Sequence, residues 1–176
     1  THWAWTGRFL ADPTLLAVID TDGIELIHPI REGRSSRPIG KKGKSNHRWI
    51  VGGKLCLLLN QWGLIVGWDC STANVHDSHF QPLVVAVQDS TVVFTDSAFH
   101  AATGDPPTMK VCARGQWNHS MLTLVCHFKK VMHRVWTSFQ ARLAFTMAAF
   151  NVLVQWDGLQ PDDDGMIHLS LARFSL

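Results

Sequence analysis

Two aspartates close apolar, β-branched runs: Asp20 follows LLAVI (15–19) and Asp96 follows TVVFT (91–95). An ionised carboxylate at the end of a buried strand is costly to desolvate unless it is paired or holds a cation. Two of them on neighbouring strand ends can clamp Mg²⁺, which takes one or two carboxylates and leaves the rest of its shell to water and substrate phosphates. Two such ions about 4 Å apart activate a water and stabilise the leaving oxygen in phosphodiester cleavage. Acids at strand ends also simply begin turns, and Thr21-Asp22-Gly23 after Asp20 is turn-like. Spacing alone leaves both readings open.

The charges are unevenly placed. The formal net charge is only +2, yet Arg31, Arg34, Arg37, Lys41, Lys42, Lys44 and Arg48 stand close together and are opposed only by Glu32. Lys and Arg interleaved with Gly and Ser make a flexible polycation suited to tracking a phosphate backbone. An isolated charge run is usually a solvated face. Beside two candidate metal-binding acids, nucleic acid becomes an equal reading.

Other chemistries find less support. The ten His include His76, His79 and His100, but no Cys or His partner follows at zinc-site spacing. Cys56, Cys70, Cys112 and Cys126 form no CxxC pair; the first two lie in apolar runs and read as small core hydrophobes. No disulfide framework is implied, which points to a reducing cytoplasm. GxSxG, P-loop, HExxH and GxGxxG patterns are absent, leaving no support for a serine hydrolase, a nucleoside triphosphatase or a Rossmann enzyme.

The elements that must position these residues can be read in outline. The length of 176 residues, the hydrophobic fraction of 46% and the charged fraction of 17% suit one domain with a real core. LLAVID (15–20) is a strand, and IELIHP (24–29) either extends it or returns as a second one. Residues 31–48 read as a long exposed loop. WIVGGKLCLLLN (49–60) and LIVGWDCST (64–72) form a hairpin turned at Gln61-Trp62-Gly63. A helix over 75–88, N-capped by Asn74 or Asp77, leads to the strand ending in Asp96; MKVCA (109–113) is one more strand. Residues 120–134 read as a helix with Asn118 and His119 capping it. In the next helix, over 135–156, Trp136, Phe139, Leu143, Met147, Phe150 and Val154 make one apolar stripe. Arg142 and Asn151 break its apolar character, which argues against a membrane span. The result is an α/β mixed sheet with helices packed on it. Residues 1–14 read as an N-terminal remnant, consistent with a chain that opens at Thr1 rather than Met; 15–160 form the core and 161–176 an acidic tail.

The run GKKGKSNHRWIVGGKLCLLLNQWGLIVGWDCSTANVHD (40–77) resembles the central part of bacterial insertion-sequence transposases of the DDE class. AVIDT (17–21), VVFTDSAFH (92–100) and HFKKVMHRVWTSFQARLAFTMAAFNVLVQW (127–156) occur in that family's order, so the resemblance covers the chain from about residue 15 to 176. It implies a ribonuclease-H-like mixed sheet flanked by helices. It also implies Mg²⁺- or Mn²⁺-dependent cleavage of double-stranded DNA at element ends, followed by strand transfer. Asp20 and Asp96 match the first two catalytic, metal-binding acids, with Asp22 a rival to Asp20. Arg34, Arg37, Lys41, Lys42, Lys44, Arg48, Lys129 and Lys130 are the expected DNA contacts. A homodimer would bring two element ends together, in a cytoplasmic, nucleoid-associated protein.

The resemblance departs at the third acid, a Glu carried by the helix before the HFKKV-like segment. Glu25 and Glu32 are the only glutamates in the chain, and residues 115–121 read GQWNHSM. The helix is shortened where the Glu belongs, and no third residue carries over. Losing one carboxylate weakens a two-metal clamp without abolishing the fold. A degenerate, weak or inactive copy is therefore expected, or a DNA-binding remnant of a transposase.

Overall fold

The computed structural model describes residues 9–34, 39–45, 48–112, 131, 133 and 135–156. Six strands form one mixed sheet: β1 (Leu16–Ile27), β2 (Lys41–Ser45), β3 (Arg48–Asn60), β4 (Ile65–Thr72), β5 (Val92–Thr95) and β6 (Met109–Val111). Their order is β2-β3-β1-β5-β6, with β4 also paired to β3. β1 to β4 pair antiparallel, whereas β5 joins β1, and β6 joins β5, in parallel. The architecture is thus the mixed α/β sheet flanked by helices that the ribonuclease-H-like resemblance implied. IELIHP extends β1 rather than forming a second strand; its register slips at a bulge between Glu25 and Ile27. The β3–β4 hairpin turns where expected, with Gly63 at φ 72° supplying the left-handed position.

The basic segment departs from expectation. Its second half is not loop: Lys41–Ser45 pairs antiparallel with Arg48–Gly52, so Lys41, Lys42 and Lys44 ride on a strand. Periodicity could not reveal this, because β2 (KKGKS) has no apolar face. β2 and β4 share one edge of β3 end to end: β2 takes Arg48–Gly52 and β4 takes Gly53–Leu59. Glycine makes the junction possible. A Cβ on Gly43 would lie 1.9 Å from the Ala73 carbonyl oxygen, and one on Gly52 would lie 2.0 Å from that of Ile24.

The segment 75–88 is also less regular than a single helix. It opens as a 3₁₀ turn, Asp77–Phe80, and continues as the short helix Gln81–Val85. Its N-cap is His76, whose ring accepts the Ser78 N–H, rather than Asn74 or Asp77. Pro82 sits in the first turn of that short helix, where a missing N–H costs nothing.

Each sheet face carries its own core. On one face Ile24, Leu26, Leu55 and Cys70 meet Phe139, Leu143, Met147, Phe150 and Val154 of the long helix Trp136–Trp156. On the other, Ala17, Ile19, Cys56, Leu58 and Val93 meet Phe80, Val84 and Phe99. Fully burying each such large side chain is worth about 1.5–3 kcal/mol. Asn151, 1% exposed, is the polar exception on the helix. Its amide accepts the Ile65 N–H at 2.8 Å and donates to the carbonyls of Ile65 and Phe9 at 2.7 and 2.8 Å. It thereby ties the helix to the start of β4. No helix among the described residues is long and apolar enough to cross a membrane. The helix expected over 120–134, apart from Val131 and His133, its caps Asn118 and His119, and the tail 161–176 lie outside the described residues.

Candidate functional site

The parallel pairing of β1 with β5 decides where the two strand-end acids meet. Ala17 aligns with Val93 and Val18 with Phe94. The pairing stops at Val18 and Phe94; extended by two residues along each strand, the same alignment would bring Asp20, which lies within β1, level with Asp96, just past the end of β5. Side chains alternate across a strand. Ala17, Ile19 and Val93 belong to the core on the short-helix side, so Asp20 and Asp96 fall on the long-helix side. Asp22 shares that face but, on the same alignment, lies three residues beyond the point where β5 ends. The same extension favours Asp20 over Asp22 as the residue level with Asp96.

Both carboxylates are half-buried. Asp20 Oδ1 accepts the Thr21 N–H at 2.7 Å. Asp96 caps the 3₁₀ turn Ser97–Phe99, accepting the Ala98 N–H at 2.9 Å. That cap fixes Asp96 just where β5 stops, which explains why an acid both ends the strand and begins the turn. Two hard oxygen donors on one sheet face suit the protein's share of a Mg²⁺ shell. Among the described residues, no three or more His, Cys, Asp or Glu gather as a cation site.

Beneath Asp20, on the opposite sheet face, lies an ion pair the sequence did not reveal. Asp77 Oδ1 accepts from Lys54 Nζ at 2.7 Å and from the Thr21 hydroxyl at 2.9 Å; Lys54 also donates to the Val75 carbonyl at 2.8 Å. The two side chains are 12% and 19% exposed. Thr21 is thus held from one side by Asp77 while its amide binds Asp20 on the other. Nearby, burial foremost, then the Asp77, Asp20 and Asp69 carboxylates, push the Cys56 thiol well up against a smaller opposing effect of Lys54. Cys70 is pushed up to about 12, again mainly by burial. Neither thiol is a nucleophile at neutral pH.

The basic residues separate into groups. Lys41, Lys42, Lys44 and Arg48 are exposed on the β2–β3 hairpin, and Arg34 is exposed before it. Arg37, Lys129 and Lys130 fall outside the described residues, as does the segment 115–121 in which the third acid was sought. The histidines are engaged locally. His76 caps a turn, and His79 packs edge-on against Phe80. His100 pairs through Nδ1 with Asp105, whose carboxyl is held low first by the Ala101 amide and next by the His100 ring. Sequence reasoning passed over Trp49, which is 60% exposed with the Lys42 ammonium 5.7 Å from its ring centre. An aromatic set inside a basic run was the available signal.

No protein-family model and no curated protein matches the chain. Among solved structures, the crystal structure of the Mos1 mariner paired end complex with Mn is similar at a TM-score of 0.45 and 12% identity. That likeness covers 96% of this chain and 61% of the other, so the chain spans about three fifths of its length. At that level the likeness bears on neither the chemistry nor the family of this chain.

Proposed function

We propose that the chain is a transposase-like catalytic domain that cuts and joins DNA using divalent cations held by Asp20 and Asp96. The observation that supports this reading is the parallel register of β1 and β5, whose extension past Val18 and Phe94 would bring Asp20, within β1, level with Asp96, just after β5. The sequence resemblance to DDE-class insertion-sequence transposases and the exposed Lys41, Lys42, Lys44 and Arg48 support it from outside the site. A bound Mg²⁺ or Mn²⁺ would supply Lewis-acid activation of water and stabilisation of the leaving oxygen. The chain's own part is to hold the cation through Asp20 and Asp96, keep Asp96 in place through the Ala98 cap, and bind the backbone of double-stranded DNA through its basic residues. Arg34, Arg37, Lys129 and Lys130 belong to the same proposed DNA surface, and pairing of two element ends calls for a second copy.

A second reading is favoured by one observation: the chain has no glutamate beyond Glu25 and Glu32, and the third acid of the family pattern has no counterpart. On that reading the chain is a catalytically inactive DNA-binding remnant. Nicking of end-labelled duplex carrying element ends, in Mg²⁺ or Mn²⁺, separates the two. Slow cation-dependent nicking that Asp20→Asn and Asp96→Asn each abolish is the expected outcome. Duplex binding without any nicking favours the remnant, and absence of both sinks the DNA reading. Inserting a Glu-bearing helical turn before Ser120 should raise the nicking rate; no gain in a folded variant counts against the missing-acid account.

A further inference from the structure

The face of the β2–β3 hairpin that carries Lys44 opposite Trp49 borders a groove of about 310 Å³, closed on its far side by Ala73–Asp77 after β4. Lys42, Lys44, Trp49, Lys54, His76 and Asp77 are among its lining residues. Trp49 is 60% exposed and presents its ring beside the groove, with the Lys42 ammonium 5.7 Å from its centre. The local charge decides what kind of ligand fits. Lys54 is neutralised by Asp77 at 2.7 Å, whereas Lys42 pairs, among the described residues, with the exposed Glu32 at 3.5 Å, a weak pairing in water. With Lys44, and with Lys41 and Arg48 on the same hairpin, the rim is cationic. A cationic groove around an open aromatic face is the arrangement that binds single strands, where each base offers a π face that duplex stacking hides. The groove is also of nucleotide size and too small for a duplex.

We propose that this groove binds unpaired nucleic acid, with one base stacked on Trp49 and the adjoining phosphates held by Lys42 and Lys44. The proposal rests on the DNA reading above but uses Trp49, Lys42 and Lys44 rather than Asp20 and Asp96. The chain is titrated with a fluorescein-labelled oligothymidylate and, separately, with a labelled duplex of the same length, by anisotropy at two salt concentrations. Trp49→Ala and Trp49→Leu should each weaken the single strand roughly tenfold, the loss of one stacked base, and leave the duplex within about twofold. Trp49→Phe should restore most of the single-strand affinity. Lys44→Ala should weaken both ligands and lower the salt slope by about one phosphate contact. Equal losses for duplex and single strand in the Trp49 variants, or no loss in either, overturn the stacking site while leaving the DNA reading intact. Binding of neither ligand by the unaltered chain overturns both. Circular dichroism of each variant confirms that Trp49, an exposed side chain, was replaced without unfolding β3.

Discussion

At the scale of single residues, Asp77 and Lys54 illustrate what a spacing argument cannot reach. Asp77 sits in the NVHD segment and reads as a helix cap; in the structure its carboxylate serves Lys54 and Thr21, on β3 and β1. Removing one partner of a buried pair leaves the other charge without compensation, which costs far more than the pair itself contributes. Asp77→Asn should therefore destabilise the chain by about 3 kcal/mol. The double replacement Lys54→Met with Asp77→Leu should recover most of that loss. Urea unfolding of the two single variants and the double variant measures the coupling; additive losses would mean the pair is energetically idle. The apolar runs before Asp20 and Asp96, by contrast, were legible as strands, but β1 runs on to Ile27, so only Asp96 follows a strand's end. How the two acids lie relative to one another was not legible. That depends on a parallel register between segments some seventy residues apart, which no local pattern encodes.

At the scale of elements, the β2–β3 hairpin was the least legible part of the fold and the long helix the most. The helix announces itself because Phe139, Leu143, Met147, Phe150 and Val154 repeat at helical spacing, and all of them are buried. β2 has only Lys, Gly and Ser, and becomes a strand because β3 is long enough to offer it an edge beyond β4. Its one glycine is a steric requirement rather than a flexible spacer: Gly43 meets the Ala73 carbonyl where the ends of β2 and β4 abut. A methyl group there must push two backbones apart, since neither neighbour is a movable side chain. Gly43→Ala should detach the hairpin, with amide exchange in Lys41–Ser45 accelerating by at least tenfold while the long helix keeps its protection, roughly the signature of local opening. Unchanged exchange in β2 would show that the junction yields without cost. If the hairpin is the DNA surface, the same variant should also lose duplex affinity, because its lysines would no longer be held in one plane.

At the scale of the whole molecule, the sheet separates two cores, one under the long helix and one under the short helix. The mixed sheet was foreseeable from the sequence of runs and turns; the layering was not, because it is built from contacts between distant segments. A cation bound at Asp20 and Asp96 would tie β1 to β5 across the middle of that sheet, so its binding should register in global stability. Ligand that binds only the folded chain stabilises it by RT ln(1 + [L]/Kd), about 1.4 kcal/mol at ten times Kd. For a chain of this size that corresponds to a rise in Tm of roughly 3–6 °C. Mg²⁺ is the informative cation, because the ten histidines would also take softer metals, whereas Mg²⁺ prefers oxygen donors. The melting temperature should rise on Mg²⁺ addition in the unaltered chain and in His76→Ala, and stay flat in Asp20→Asn and Asp96→Asn. A shift that persists in both aspartate variants would place the cation elsewhere and remove the proposed site. A shift confined to the aspartates, in a chain that nevertheless nicks no DNA, would mean that two carboxylates suffice to hold a cation but not to use it.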